Sequence, residues 1–277
     1  MPSTTRPTFG ATPAPSERPP REALLEQILT GTKRGFVPIR RTFLQKPRGA
    51  EGSRGAQLAK LAANPSALNA YLLLHALASS SEPYQADYPV ATWVDLLCLE
   101  DGATEATAKS RWSKVITKLN SLDLIERRRV GNSMQYLLLD ESGNKTAYTR
   151  PQKAADGNYF KLPYSYWANG YDVSLDQSER LMLLIGLDQQ DGFVLPFNQA
   201  RQWYGVSEST ARRGLRGLEA RDLLVSTSKH VPSAKSPTGW AESIKYTMTE
   251  PFSRKAIAKL VKDRGKTLFA ASPEPRP

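Results

Sequence analysis

Apolar residues recur every three or four positions from Leu68 to Ala78 (Leu68, Tyr71, Leu72, His75, Ala76, Ala78), the spacing of a helix with one side in a core. The pattern predicts a helix opening at Pro65 and closed by Ser79-Ser80-Ser81. A second helix is expected from Val90 to Leu99, through Trp93, Leu96 and Leu97, and Asp101-Gly102 stops it. A third and longer one runs from about Thr104 to Ser121. Then the period shortens. Leu124 to Val130, the turn Gly131-Asn132-Ser133 and Met134 to Leu139 predict a β-hairpin.

The same order returns after a polar stretch, Asp140 to Asn158, that reads as a boundary. Tyr159 to Pro163 predicts a short strand, and Asp176-x-x-Glu179 has the spacing of a capping box. The helix it opens carries Leu181, Leu184, Ile185 and Asp188 and ends near Gly192. Pro196 to Tyr204 and Ser207 to Arg221 predict two more helices. Leu224 to Val231 and Ser243 to Thr249 predict strands across a long loop rich in Pro, Ser and Lys. Moved back by 99 positions, Asp222-Leu223-Leu224 falls on Asp123-Leu124-Ile125, Leu218 on Leu119 and Leu215 on Ile116. The apolar positions agree and the polar faces do not, as in a duplicated architecture that keeps its core and changes its contacts. The expected fold class is α+β: mainly helical, with small β-hairpins.

Outside the repeats, residues 1–20 hold six prolines and are expected to be disordered. Ala23 to Leu29 predicts two turns of helix ending at Gly31. Lys33 to Arg54, rich in Gly and Arg, reads as a flexible arm or as an extended segment lying on a surface. From Arg254 to Lys266, cations interleave with Ile257, Leu260 and Val261, the pattern of an amphipathic helix. The expected boundaries are a disordered basic arm (1–55), a first domain (56–145), a linker (146–158), a second domain (159–252) and a basic extension (253–277).

Charge adds direction to this plan. The chain of 277 residues has a net charge of +11, with ten Lys/Arg against four Asp/Glu in residues 1–55 and seven against two in residues 253–277. The remaining body is balanced. Basic tails around a neutral body suggest a polyanionic partner, because Lys and Arg displace condensed counterions from phosphates. A single cysteine, Cys98, excludes an intramolecular disulfide, and His75 and His230 alone make a multi-histidine metal site improbable. No secretory signal or membrane-length apolar run is apparent. A cytoplasmic, nucleoid-associated protein with no membrane partner is expected.

The segment Gly205 to Leu224 carries the most chemistry. Taking Ala211 as the origin of a helical wheel, Leu215 and Leu218 share its side, and Ser209, Arg212, Arg213, Arg216 and Ala220 take the other. Ser207 is placed to cap the helix, and the first turn, with Thr210, would offer N–H groups to a phosphate. Arginine's planar fork suits guanine O6 and N7. Residues 195–249 resemble a winged helix-turn-helix module. Gly205-Val206-Ser207 matches the inter-helix turn, Ser207-Glu208-Ser209-Thr210 the start of the recognition helix, and Leu218 to Leu224 the run into the wing. Arg201, beside Ala200, stands where such motifs carry a small residue.

The first copy resembles the module more loosely. Trp112, Val115, Ile116 and Leu119 form its inward stripe, with Thr107, Ser110, Ser113, Lys114, Thr117 and Lys118 opposite. Its hairpin carries Arg127-Arg128-Arg129 before Gly131-Asn132, and strand alternation puts Arg127 and Arg129 on one side without Arg128. The second hairpin contributes Lys229, His230 and Lys235, placed in its long loop. The resemblance implies DNA contacts by Ser207, Ser209, Thr210, Arg212, Arg213 and Arg216 in the second copy. In the first it implies contacts by Ser110, Lys114, Lys118, Arg127, Arg129 and Asn132. Lys229, Lys235 and the basic tails would add phosphate contacts.

No Walker-type loop, His-Glu-x-x-His or Gly-x-Ser-x-Gly motif is present, and Asp87, Asp95, Glu100 and Asp101 lack the spacing of a metal-dependent nuclease. An enzyme is not expected, nor a cofactor. The reading is a tandem winged-helix protein that binds double-stranded DNA, most simply a transcriptional regulator. A plasmid or mobile-element replication initiator binding origin repeats is the alternative, and a homodimer is left open.

Overall fold

The computed structural model describes residues 18–32, 34–100, 102–151 and 159–263. The expectations for residues 1–17, for residues 152–158 and for the chain beyond residue 263 lie outside the described residues. The protein is α+β, helical with small antiparallel sheets.

Helix α1 (Arg21–Gly31) buries Leu25 and Leu29, one turn apart. Strand β1 (Phe36–Arg40) and a 3₁₀ turn (Arg41–Phe43) follow, and Val37, Ile39, Phe43 and Leu44 are fully buried. This corrects the expectation of a flexible arm. Within a basic, Gly-containing stretch, Phe36 to Ile39 supplies the β-prone side chains of a strand, and burial overrides the composition around it.

A first unit follows: α2 (Gln57–Leu61), α3 (Pro65–Leu77), β2 (Gln85–Ala86), α4 (Val90–Leu96), α5 (Glu105–Ser121), β3 (Ile125–Val130) and β4 (Ser133–Leu138). Thr104 caps α5 by accepting from the Thr107 N–H at 3.3 Å. Strands β3 and β4 pair in register from Ile125↔Leu138 to Val130↔Ser133, so the turn is the two residues Gly131-Asn132, one shorter than expected. Strand β2 pairs with β4 and completes a three-stranded sheet.

The second unit begins at β5 (Tyr159–Pro163) and the short helices α6 (Ser165–Ala168) and α7 (Tyr171–Ser174). Then come α8 (Gln177–Asp188), α9 (Phe197–Tyr204), α10 (Glu208–Ala220), β6 (Leu224–Pro232) and β7 (Trp240–Met248), followed by α11 (Arg254–Asp263). The capping box of α8 is formed: Asp176 accepts from the Glu179 N–H at 2.8 Å, and Glu179 accepts from the Asp176 N–H at 2.7 Å. Phe193 bridges to Tyr246, in the place that β2 takes in the first unit. The hairpin strands run farther than expected, leaving the seven residues 233–239 as the tip loop. Lys229 and His230 therefore stand in β6 and not in a loop, and Trp240 opens β7.

Helix, bridge, helix, helix and hairpin thus occur twice, and the junctions repeat at atomic detail. Helices α5 and α10 end at Ser121 and Ala220, and Asp123 and Asp222 follow with φ of 55° and 57°. Aspartate tolerates this left-handed turn better than most side chains do. The Leu124 N–H then donates to the Leu119 carbonyl at 3.2 Å, and the Leu223 N–H to the Leu218 carbonyl at 2.9 Å. The same turn launches each hairpin from the end of its helix.

The two units share one continuous hydrophobic core. Strand β1 pairs antiparallel with β5, Val37 opposite Leu162 and Ile39 opposite Phe160. The expected linker is part of this body up to residue 151. Tyr148 is buried, the Arg150 guanidinium donates to the Ser79 and Ser80 carbonyls, and Glu141 is buried against Arg40 at 2.7 Å. Polar composition concealed these contacts because the buried polar groups are paired. Asp172 makes a second tie: its carboxylate takes Arg21 from α1, and its carbonyl accepts from Asn69 of α3 and Arg180 of α8.

His75 lies in this core with its ring edge-on to Tyr71 and Tyr148. Burial, and then the positive charges of Arg40, Arg34 and Arg150, hold its pKa down at about 3. The imidazole therefore stays neutral in the fold while the unfolded chain takes up a proton below about pH 6.5. The depressed value means that stability is lost as pH falls from about 6.5 toward 3, by about 1.4 kcal/mol per unit for this one group. Denaturant unfolding of the wild type and His75→Phe between pH 7 and 4.5 isolates it. The gap between the two should move in the variant's favour as pH falls, and a pH-independent gap would contradict a neutral buried His75.

Candidate nucleic-acid interface

Helix α10 is positioned by close contact with α8. Ala211, Gly214, Leu215 and Leu218 are buried. Gly214 is a member of the inward face that a count of apolar side chains omits. A β-carbon there would run into the Ser178 carbonyl and lie 2.6 Å from Met182 Cγ. The start of the helix is held by Ser207, whose hydroxyl oxygen accepts from the Thr210 N–H at 3.2 Å and lies 3.0 Å and 2.8 Å from the hydroxyls of Ser209 and Thr210.

The outward side of α10 is arginine-bearing, but its three guanidiniums differ. Arg216 is exposed, with no hydrogen bond or ion pair among the described residues. Arg212 lies over the Phe197 ring, 4.1 Å from its centroid, and pairs with Glu208 at 2.8 Å. That contact holds the fork extended along the helix, at a surface where the pair itself adds little stability. Arg213 turns toward α8, where Nε and Nη2 donate to Ser178 Oγ at 2.8 and 2.5 Å. Arg213 is thus committed to joining two helices, a role the helical wheel does not distinguish from that of its neighbours.

Helix α9 meets α10 at Gly205, whose φ of 68° makes the turn, and Ala200 is the buried small residue of α9 while Arg201 is exposed. Of the last carbonyls of α9, that of Arg201 accepts from the Gly205 N–H at 3.0 Å, and those of Gln202 and Trp203 would be orphans at a helix end. A loop from the N-terminal segment satisfies them. Ser53 Oγ donates to the Arg201 carbonyl at 2.7 Å, the Arg54 N–H to that of Gln202 at 2.7 Å, and Gln45 Nε2 to that of Trp203 at 3.0 Å. Gly55 packs so tightly there that a β-carbon would sit 2.7 Å from Gly205 Cα.

In the first unit Ala108, Trp112, Val115, Ile116 and Leu119 of α5 face inward. Ser110, Ser113, Lys114 and Thr117 are exposed and Lys118 is half-buried. With the helix ends aligned, Ser113 and Thr117 stand where α10 has Arg212 and Arg216. The first helix therefore offers hydroxyls where the second offers guanidiniums.

Both hairpins project beyond the core. Every residue from Glu126 to Met134, Arg127, Arg129 and Asn132 included, is exposed. The register places Arg127 opposite Tyr136 and Arg129 opposite Met134, on the face that begins with buried Ile125. That face is turned to α5, since Trp112 Nε1 donates to the Tyr136 hydroxyl at 3.0 Å. Arg128 points to the other face and lies 3.5 Å from Glu126. In the second hairpin His230, opposite Glu242, shares the face of buried Tyr246, whereas Lys229, opposite Ser243, is on the reverse face. Lys235 is in the tip loop.

The described residues therefore include two helices with polar outward faces, each followed by a projecting hairpin of the same unit. No protein-family model, no curated protein and no solved structure matches this chain. No helix among the described residues is long and apolar enough to cross a membrane.

The tightness of the α8–α10 packing is open to a direct check. Alanine is the better helix former by about 0.8–1 kcal/mol. Overpacking against a backbone carbonyl costs about 1–3 kcal/mol. Gly214→Ala should therefore lower stability in denaturant unfolding, and a variant as stable as the wild type or more so would contradict so close an approach.

Proposed function

We propose that the protein is a sequence-specific double-stranded-DNA-binding protein built from two winged helix-turn-helix units, and that it acts as a transcriptional regulator. The observation that carries this reading is the outward face of α10. A rigidly seated, capped helix presents Arg212 and Arg216 beside Ser209, next to a turn propped from behind. Helices of this kind place their first turns against base edges in the major groove while the preceding helix crosses the backbone. Arg212 and Arg216 are the base-reading residues of this proposal. Arg213 keeps its place on Ser178 and at most reaches a phosphate from there.

The α5 face reads through Ser110, Lys114 and Lys118 with less charge. Arg127 and Arg129, on the hairpin face turned to α5, follow the adjacent backbone or minor groove with Asn132 at the tip. In the second hairpin Lys235 and Lys229 take phosphates from the tip and the reverse face. Because one core carries both units, a single chain would engage one bipartite site. The unlike faces of α5 and α10 make that site asymmetric. An asymmetric site is naturally arrayed as direct repeats, and this favours, as a second reading, a replication initiator that binds repeats at an origin. Isolation of bound fragments from genomic DNA separates the two: single promoter sites support the regulator, and tandem repeats that sustain replication support the initiator.

Binding to duplexes selected from a random library tests the reading itself. Arg212→Ala/Arg216→Ala should weaken binding to the selected site by about 1–3 kcal/mol for each base that is no longer read, and leave thermal unfolding nearly unchanged. A double variant that selects the same site with the same affinity would overturn the assignment.

A further inference from the structure

The loop that props α9, part of the basic N-terminal stretch, also builds a cationic recess. A cavity of about 480 Å³ lies between residues 41–54, the end of α8 and the end of α9. Arg41, Lys46, Arg48 and Arg54 line it, with Asp188 as the one carboxylate among the lining residues and Trp203 alongside.

The charges do not cancel. Asp188 is 3% exposed and already taken by Arg41, whose Nε lies 2.8 Å from Oδ1. Arg254, at the start of α11, donates to the Gln189 carbonyl next to it at 3.1 Å and adds a further cation on that side. The remaining wall cations meet neutral acceptors or none. Lys46 Nζ reaches the Ser53 carbonyl at 3.4 Å, Arg54 Nη2 reaches Gln45 Oε1 at 3.2 Å, and exposed Arg48 has no hydrogen bond or ion pair among the described residues. Glu51, the acidic residue of the loop, does not line the recess.

Position gives the recess its meaning. The segment that carries Lys46 to Arg54 is bonded to the Arg201, Gln202 and Trp203 carbonyls of α9, and α9 leads through Gly205 directly into α10. Like-charged side chains gathered on a fixed concave wall repel one another, and a phosphate relieves that repulsion. We propose that this recess is a phosphate site occupied by the DNA backbone flanking the segment read by α10, with Lys46, Arg48 and Arg54 as its contacts. The proposal rests on the DNA-binding reading above and extends it to a segment supplied from outside the second unit.

The test is fluorescence anisotropy of the full chain with a labelled mixed-sequence 30-base-pair duplex across a salt series. Lys46→Ala/Arg48→Ala should flatten the dependence of log K on log salt by about 0.9 for each phosphate that is no longer neutralised. Affinity at low salt should drop at least several-fold, without a change in the sequence chosen from a random library. Arg48→Lys should keep most of the slope. A double variant with the wild-type slope would overturn the proposal while leaving the base-reading helix intact, whereas a wild type that binds no duplex would instead remove the DNA-binding reading. A second arm distinguishes the source of the phosphate. ATP at millimolar concentration should compete only as a general polyanion, to the same degree in the double variant. Saturable ATP binding that is abolished in the double variant, with the duplex slope unaltered, would assign the recess to a free nucleotide and overturn the proposal.

Discussion

The arrangement depends on the burial of one short segment, Val37 to Leu44. Pairing of β1 with β5 puts Val37 and Ile39 beside Phe160 and Leu162, and Phe43 and Leu44 close the same core. The segment lies far in sequence from the strand it meets. It thereby fuses what the repeats alone would leave as two beads on a string. Each unit's helices bury one stripe inside the unit, and β1 lies between α3 of the first unit and β5 of the second.

Polar ties then set the angle at which the packed parts meet. Asp172 is nearly inaccessible, and burial raises its pKa to about 6 against the pull of Arg21 and Arg180. A carboxylate so placed is expensive unless paired, and here it takes Arg21 of α1 while its carbonyl accepts from Asn69 of α3 and Arg180 of α8. Glu141 repeats the logic with Arg40, its pKa raised to about 7 by burial. Removing any one partner would leave a buried charge alone, so these groups specify geometry more than they add stability. The loop at residues 45–55 works differently, through backbone carbonyls, and fixes the turn that precedes α10.

Much of this was legible in the sequence. Local signals sufficed for the helices whose ends carry caps, such as Thr104, Asp176 and Ser207, and for the 99-residue repeat, which is a pattern of apolar spacings. Long-range partners were not legible. The strand at Phe36 to Arg40 is hidden among arginines, and its only reason to be a strand is a partner well over a hundred residues away. Tyr148 and Glu141 sit in a polar run whose contacts include Arg40, at the end of that same strand. At the site, a helical wheel finds the outward side of α10, but it treats Arg213 and Arg216 alike. Only the neighbouring helix shows that Ser178 holds the one and leaves the other to solvent. Gly214 was missed for a related reason: its contribution to the interface is the absence of a side chain.

In the proposed function these features converge. Two units with different outward faces are locked by one core, and the better-charged helix is braced by a loop from the opposite end of the chain. The most direct measurement is hydroxyl-radical footprinting of the full chain on a duplex taken from its own selected sites. Two protected patches at one constant separation, appearing together as protein is added, are the predicted result. Protection of a single patch, patches whose separation varies from site to site, or no protection at low ionic strength would contradict a rigid pair of DNA-reading units.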